Sequence, residues 1–284
     1  MRVTLQNAHM TVSVDSMGAE LKSIRDAAGV ERLWSGDPAF WSGQAPIMFP
    51  IVGGLHDDAF DWNGKRYGMT KHGFVRSSEF TLASQTAEKA VFALREQADT
   101  LAQYPFAFEF RVIFALQGAR LCVTYEVENR SSEDMPFQVG AHEAYACPEG
   151  IEAYEVVFDQ PETLARYELG GNFLNYQTTP WVENSSVMPL NRADFERDAI
   201  VFLDVKSNRV TLRSKAHPRT IGVDFEGFDT LMFWTKPGAP YICIEPWCGA
   251  PDFIDGVHAL EKRHRIRKVA PGAVFACEHG ITLG

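Results

Sequence analysis

The sequence predicts an all-β fold of antiparallel strands packed as a sandwich. Three observations carry this prediction: apolar and polar residues alternate from end to end, tight-turn signals separate the alternating runs, and sustained helical periodicity is scarce. In "FEFRVIFAL" the residues Phe108, Phe110, Val112, Phe114 and Leu116 share one face. In "LCVTYEVEN" Leu121, Val123, Tyr125 and Val127 lie opposite Thr124, Glu126 and Glu128. "TIGVDFEG" repeats the pattern with Ile221, Val223 and Phe225. A period of two with one apolar face is that of a half-buried strand.

The punctuation agrees. "QGAR" (Gln117 to Arg120) reads as a hairpin turn, and Asn63-Gly64 in "WNGKRYG" is a strong type I′ signal. "WTKPGAP" places a Pro-Gly turn ahead of a further strand, and "MFPIVGGL" reads as a buried strand ending in a tight turn. Short helices are expected only at "DPAFWSG", where Asp37 would cap and Pro38 take the first position, and near "NRADFERD". No Pro/Gly/Ser-rich linker, composition break or fixed-period repeat divides the chain, so its 284 residues are expected to form one domain, 1–284.

Composition narrows the function. A net charge of −10 argues against a nucleic-acid partner, which requires a basic face. The nearest basic patch, "EKRHRIRK" (Glu261 to Lys268), is expected to be a solvated strand or hairpin face, with an anion site as the alternative. The five cysteines are an odd number without CxxC spacing, so no zinc or disulfide framework is readable. The N-terminal "MRVTLQNAHM" lacks the apolar run of a signal peptide, and nothing approaches a membrane span. A reduced, cytoplasmic protein is the expectation.

Chemistry enters at "YICIEPW" (Tyr241 to Trp247). Alternation puts Tyr241, Cys243, Glu245 and Trp247 on one face and Ile242 and Ile244 on the other. Pro246 cannot donate to a ladder, so the strand should be at an edge, a bulge or its end there. Glu245 then faces either the core or a cleft, the plain alternative being a strand-end glutamate that reaches solvent. His72 and Arg76, in "TKHGFVR", follow the Asn-Gly hairpin, and His142 lies behind Gly140 and Ala141 in "VGAHEAYACPEG". Asp198 precedes the apolar run "AIVF", where it could simply start the strand. Two histidines and a glutamate suit general acid–base chemistry, because imidazole and a desolvated carboxylate can both be tuned near neutral pH. They suit a two-histidine, one-carboxylate metal site equally well. Spacing alone does not separate these readings.

Taken in order, the segments "GAELKSI", "LWSGDPAFWSGQAPIMFPIVGGL", "KHGFVR", "VGAHEAYACP", "DAIVFLDVKSNRVTL" and "WTKPGAPYICIEPWCG" resemble the aldose 1-epimerase (galactose mutarotase-like) superfamily. The resemblance is closest to its poorly characterised bacterial branch that includes the lactose-operon-encoded member. It implies a β-supersandwich with a sugar cleft, an isomerase that interconverts hexose anomers, and no metal or cofactor. It also implies roles: Glu245 as the base at the anomeric hydroxyl, His142 as the acid at the ring oxygen, His72 as a hydrogen-bonding partner of the sugar, and Asp198 as a holder of sugar hydroxyls. Trp41, Phe74, Trp234 and Trp247 are candidates to stack on the sugar. The sequence departs from the family pattern twice. Gly54 stands where the family's "PxVGR" segment has a sugar-contacting arginine, for which Arg76 is the candidate substitute. Glu143 stands where a proline usually follows the second histidine, and a carboxylate pointing inward there would raise the proton affinity of His142.

The expected partner is therefore a small-molecule sugar, free or phosphorylated, bound by a monomer or homodimer. Arg76, Lys206, Arg209 and Lys236 are the cations that could gather at the cleft mouth. Two other classes stay open: a sugar-binding or sensing protein on the same fold, and a metal-dependent hydrolase using His72, His142 and Glu245 as ligands.

Overall fold

The computed structural model describes residues Met1–Gly284. It contains 21 strands, one short α-helix at Ala98–Gln103 and five short 3-10 helices. The all-β prediction is what forms, and the paired strands run antiparallel. Fourteen strands join in a single large sheet. The alternating runs read from the sequence are strands Phe108–Gln117, Arg120–Asn129 and Thr220–Asp224. Strand Val274–Leu283 ties the last two together.

The turn signals hold as well. Asn63 and Gly64 both have positive φ, 49° and 74°, the type I′ geometry that matches the twist of the flanking strands. Gln117 pairs with Arg120 across the "QGAR" turn. Three local expectations are corrected. "DPAFWSG" makes a turn in which the Asp37 carboxylate accepts from the Ala39 amide, not a helix. "NRADFERD" makes only a 3-10 turn at Arg192–Phe195. "MFPIVGGL" is irregular backbone, docked through single bridges from Met48 to Gly140 and from Phe49 to Gly73. A hairpin of two 17-residue strands, Tyr154–Gly170 and Phe173–Pro189, had no clear alternation to announce it.

The strand that carries Glu245 runs Tyr241–Cys248 and is buried throughout. It pairs on one side with Thr230–Trp234. On the other side it meets two short strands, Val139–Gly140 and Glu143–Ala146, separated by Ala141 and His142. The strand therefore continues past Pro246, and the interruption falls in its neighbour. The Ala141 amide donates to the Pro246 carbonyl. A residue's N and C=O face the same side of an antiparallel strand, so the missing Pro246 N–H faces this two-residue gap.

The face assignment is also met. Ile242, Ile244 and Cys248 belong to the main apolar core. On the opposite face Tyr241 and Cys243 pack with Trp34, Ala144 and Ala239, while Trp247 packs with Met48, Val52 and Met232. Glu245 lies between those two smaller clusters, only 1% exposed.

Candidate active site

A cleft of about 510 Å³ opens over this face, a volume suited to a small ligand. Glu245, His142, His72, Asp198, Arg76 and Trp234 all line it. Residues separated by up to 173 positions are thus brought to one cavity by the strand pairings above (Glu245 − His72).

At its floor the Nε2 of His142 lies 3.5 Å from the Oε1 of Glu245. His142 occupies the gap between the two short strands, where the register of its flanking pairs sets it opposite Glu245. Its ring is held at 5.2 Å from that of Trp41, 5.7 Å from Trp234 and 5.9 Å from His72. Trp41 is itself fixed by the indole N–H of Trp34, which donates to its carbonyl at 2.9 Å. Trp41, Trp234 and Trp247 line the cleft. Phe74 does not: it packs edge-on to Phe49 and against Phe108 in the core, which removes it as a stacking surface.

Burial raises the Glu245 carboxyl well above the usual range, with Glu143 and Asp198 adding to the effect and Lys71 and a Trp247 hydrogen bond opposing it. Burial lowers His142 to about 3, partly offset by its backbone carbonyl and reinforced by Lys71 and Arg76. The two shifts run in opposite directions, so the site favours the proton on the Glu245 carboxyl over the His142 imidazole.

His72 sits in the left-handed region at φ 69°, followed by Gly73 at φ 71°. A Cβ on Gly73 would lie 2.1 Å from the Phe49 carbonyl oxygen, so only glycine allows the loop to come this close. The Gly53 amide donates to His72 Nδ1 at 3.2 Å. That bond places the ring proton on Nε2, making His72 a donor from its other edge. Asp198 is also left-handed, at φ 72°, with its carboxylate accepting from the Ala199 amide. A non-glycine residue held in this region costs about 1–3 kcal/mol, and such strain gathers at functional sites.

The same geometry bears on metal binding. A metal held by the expected trio would need a lone pair from His72, but its Nδ1 already accepts a hydrogen bond and its Nε2 carries the proton. The donors that do converge are His142, Cys243 and Glu245, within 4.8 Å of one another. Burial pushes the Cys243 thiol well up, as do Glu245 and Glu143, which disfavours the thiolate a metal requires.

With this geometry in place, known proteins give it a context. The aldose 1-epimerase family pattern matches residues 1–275. The chain belongs to the aldose 1-epimerase family. The plasmid and chromosomal LacX proteins of Lactococcus lactis subsp. lactis are each 34% identical to it over 297 residues, spanning 100% of this chain and 99% of their own. A galactose mutarotase related enzyme from Lactobacillus acidophilus superposes with a TM-score of 0.95 at 30% identity, covering 100% of this chain and 97% of the other. A galactose mutarotase-like protein from Lactobacillus casei gives 0.94 at 27% identity, with both chains covered completely.

Against the family pattern, the two departures take definite form. Gly54 lies just outside the cleft, and a Cβ there would meet Asn172 at 3.0 Å. Asn172, from the turn of the long hairpin, lines the cleft instead. An arginine does reach this segment: Arg263 donates to the carbonyls of Val52 and Gly54, but from behind and fully buried, paired with Asp252 at 2.7 Å. "EKRHRIRK" is accordingly only partly a solvated face, with Lys262 and Lys268 exposed. Arg263 is in the core, and Arg265 and Arg267 pair with Asp204 and Asp229. Glu143 points away from the cleft, towards His279 and not towards His142.

Of the cations expected at the mouth, Arg76 and Lys236 line the cleft. Lys206 and Arg209 do not, and Arg209 pairs with Asp224 elsewhere. Sequence reasoning passed over Lys71, Glu196 and Asn172. Only Lys71 carried a local signal, as the neighbour of His72. No helix is long and apolar enough to cross a membrane.

Proposed function

We propose that this protein is an aldose 1-epimerase that interconverts the anomers of a hexose by general acid–base ring opening. The observation that carries the reading is the contact between His142 and the buried Glu245 on the floor of a tryptophan-walled cleft. Anomer exchange removes a proton from the anomeric hydroxyl, delivers one to the ring oxygen, rotates the freed aldehyde end and reverses both transfers. A carboxylate and an imidazole sharing one proton can perform all of this, each positioned transfer being worth about 10²–10⁴-fold. Glu245 acts as the base at the anomeric hydroxyl and His142 as the acid at the ring oxygen. His72 donates its Nε2–H to the sugar near the ring oxygen. Asp198 and Arg76 hold polar substituents, and Trp234 offers an apolar wall.

The test is NMR saturation exchange between anomeric protons over a panel of hexoses and hexose phosphates, wild type beside Glu245→Gln. Wild type should accelerate exchange of at least one sugar, and the variant should lose at least about 10²-fold of that acceleration. Equal rates for both proteins across the panel would remove the catalytic reading.

One observation favours a second reading, a sugar-binding or sensing protein that does not turn over. Gly54 stands where the family pattern has an arginine, and Asn172, packed beside it, lines the cleft, which removes that arginine's hold on the sugar. Binding of a sugar by calorimetry with no anomer exchange would establish it.

A further inference from the structure

We propose that Lys71, Arg76 and Lys236 form an anion subsite, so that the sugar accepted by this cleft carries a phosphate monoester or carboxylate group. The proposal rests on the epimerase reading for what the sugar does, and on separate observations for its charge. All three cations line the cleft. None forms an ion pair, although most of the chain's arginines do, and the cleft carboxylates Glu196 and Asp198 do not pair with them either. The Arg76 guanidinium is tethered only by donating to the Lys71 carbonyl at 3.1 Å, which keeps the two residues on one loop beside His72.

The placement is notable in a chain of net charge −10, which as a whole repels anions. The three unpaired cations of the cleft weaken that repulsion locally, even beside Glu196 and Asp198. A neutral hexose would leave them unmatched, whereas an anionic substituent would accept charge-assisted hydrogen bonds from them, and an arginine can hold it with two.

The subsite also fits the chemistry below it. Lys71 and Arg76 both hold down the proton affinity of His142, which would otherwise suit the acid role better. Lys71 opposes protonation of Glu245 as well, so it shifts both partners the same way. Arg76 acts on the two histidines. An anion on Arg76 would offset that effect and raise the proton affinity of His142, which suits the acid role. Other groups facing the pair are His72, Cys243, Asp198 and, from behind the strand, Glu143. The charged substituent would thus help to set the working protonation state of the site.

The experiment has two arms. In the first, anomer exchange is measured for a hexose, its 6-phosphate and the corresponding uronate, with wild type and with Arg76→Gln, Lys71→Gln and Lys236→Gln. The wild type should prefer one of the anionic sugars by at least tenfold in kcat/KM, and Arg76→Gln should reduce that preference at least tenfold. The phosphate and the uronate decide between the two anionic groups. The second arm reads binding without turnover, by calorimetric titration with inorganic phosphate in low salt. Wild type should bind it and Arg76→Gln should not. Turnover of neutral sugars without anionic preference, together with no phosphate binding, overturns the subsite and leaves the epimerase reading intact. Phosphate binding that needs Arg76, with no sugar turned over, supports the subsite and removes the epimerase reading.

Discussion

Glu143 accepts a hydrogen bond from His279 at 3.0 Å in the core, the two residues being 2% and 0% exposed. Glu143 pairs in register with Ile244, so both face the main core while the adjacent His142 faces the cleft. The pair ties the segment next to His142 to strand Val274–Leu283. Removing one partner leaves the other buried without compensation, which costs on the order of 3 kcal/mol. Glu143→Ala should therefore lower the urea midpoint by about that free energy, and Glu143→Gln, which keeps an acceptor, should cost less. An unchanged midpoint for the alanine variant would show that the pair contributes nothing to stability.

Glu245 gives a pH prediction of definite sign. Its folded-state proton affinity is raised above the ordinary carboxyl value of 4.5, so the folded chain binds more protons than the unfolded one above that pH. Stability from this group is complete at low pH and is lost as pH rises through the folded value. Glu245→Gln cannot ionise. It should be more stable than wild type at neutral pH, with the difference shrinking towards pH 4.5. Thermal melts of both proteins across this range would refute the idea if the gap stayed constant.

His142 acts in the opposite direction. Its affinity is depressed from 6.5 to about 3, so the folded chain binds fewer protons than the unfolded chain between those values. The stability it contributes is present above pH 6.5 and is lost as the pH falls towards 3. His142→Asn should therefore show a shallower loss of stability on acidification over that interval. Parallel slopes for the two proteins in acid titrations followed by circular dichroism would contradict the depressed value.

The His72 loop can be tested directly. Long-range proton–nitrogen NMR should find the neutral Nε2–H tautomer, because Gly53 donates to Nδ1. Burial, His142, Lys71 and Arg76 all lower its affinity, so this form should persist well below pH 6.5. Gly73→Ala forces its Cβ into the Phe49 carbonyl and should shift the His72 ring signals and destabilise the fold by about 1–3 kcal/mol. A Gly73→Ala spectrum matching wild type would show that the loop has room the structure does not give it.

What the sequence determined by itself was the alternation of its regular strands and its Asn-Gly hairpin turn, while the local readings of "DPAFWSG", "NRADFERD" and "MFPIVGGL" were not met. Period-two alternation assigned Phe108–Gln117, Arg120–Asn129 and both faces of the Glu245 strand, because side-chain direction in a strand depends only on parity. Asn63-Gly64 specified its turn for an equally local reason, its tolerance of positive φ. The candidate site residues were named through an ordered resemblance, not through any one motif. Only the tertiary structure decided their relations. Pro246 predicted an edge, a bulge or the end of its own strand. The strand instead runs on to Cys248 between neighbours on both sides, and the break falls at Ala141 and His142, far away in sequence. Glu143 and Arg263 looked like cleft or surface charges, and packing turned both into the core against His279 and Asp252. The opposite shifts of His142 and Glu245 are likewise a tertiary property, since burial and distant charges, not residue type, set them.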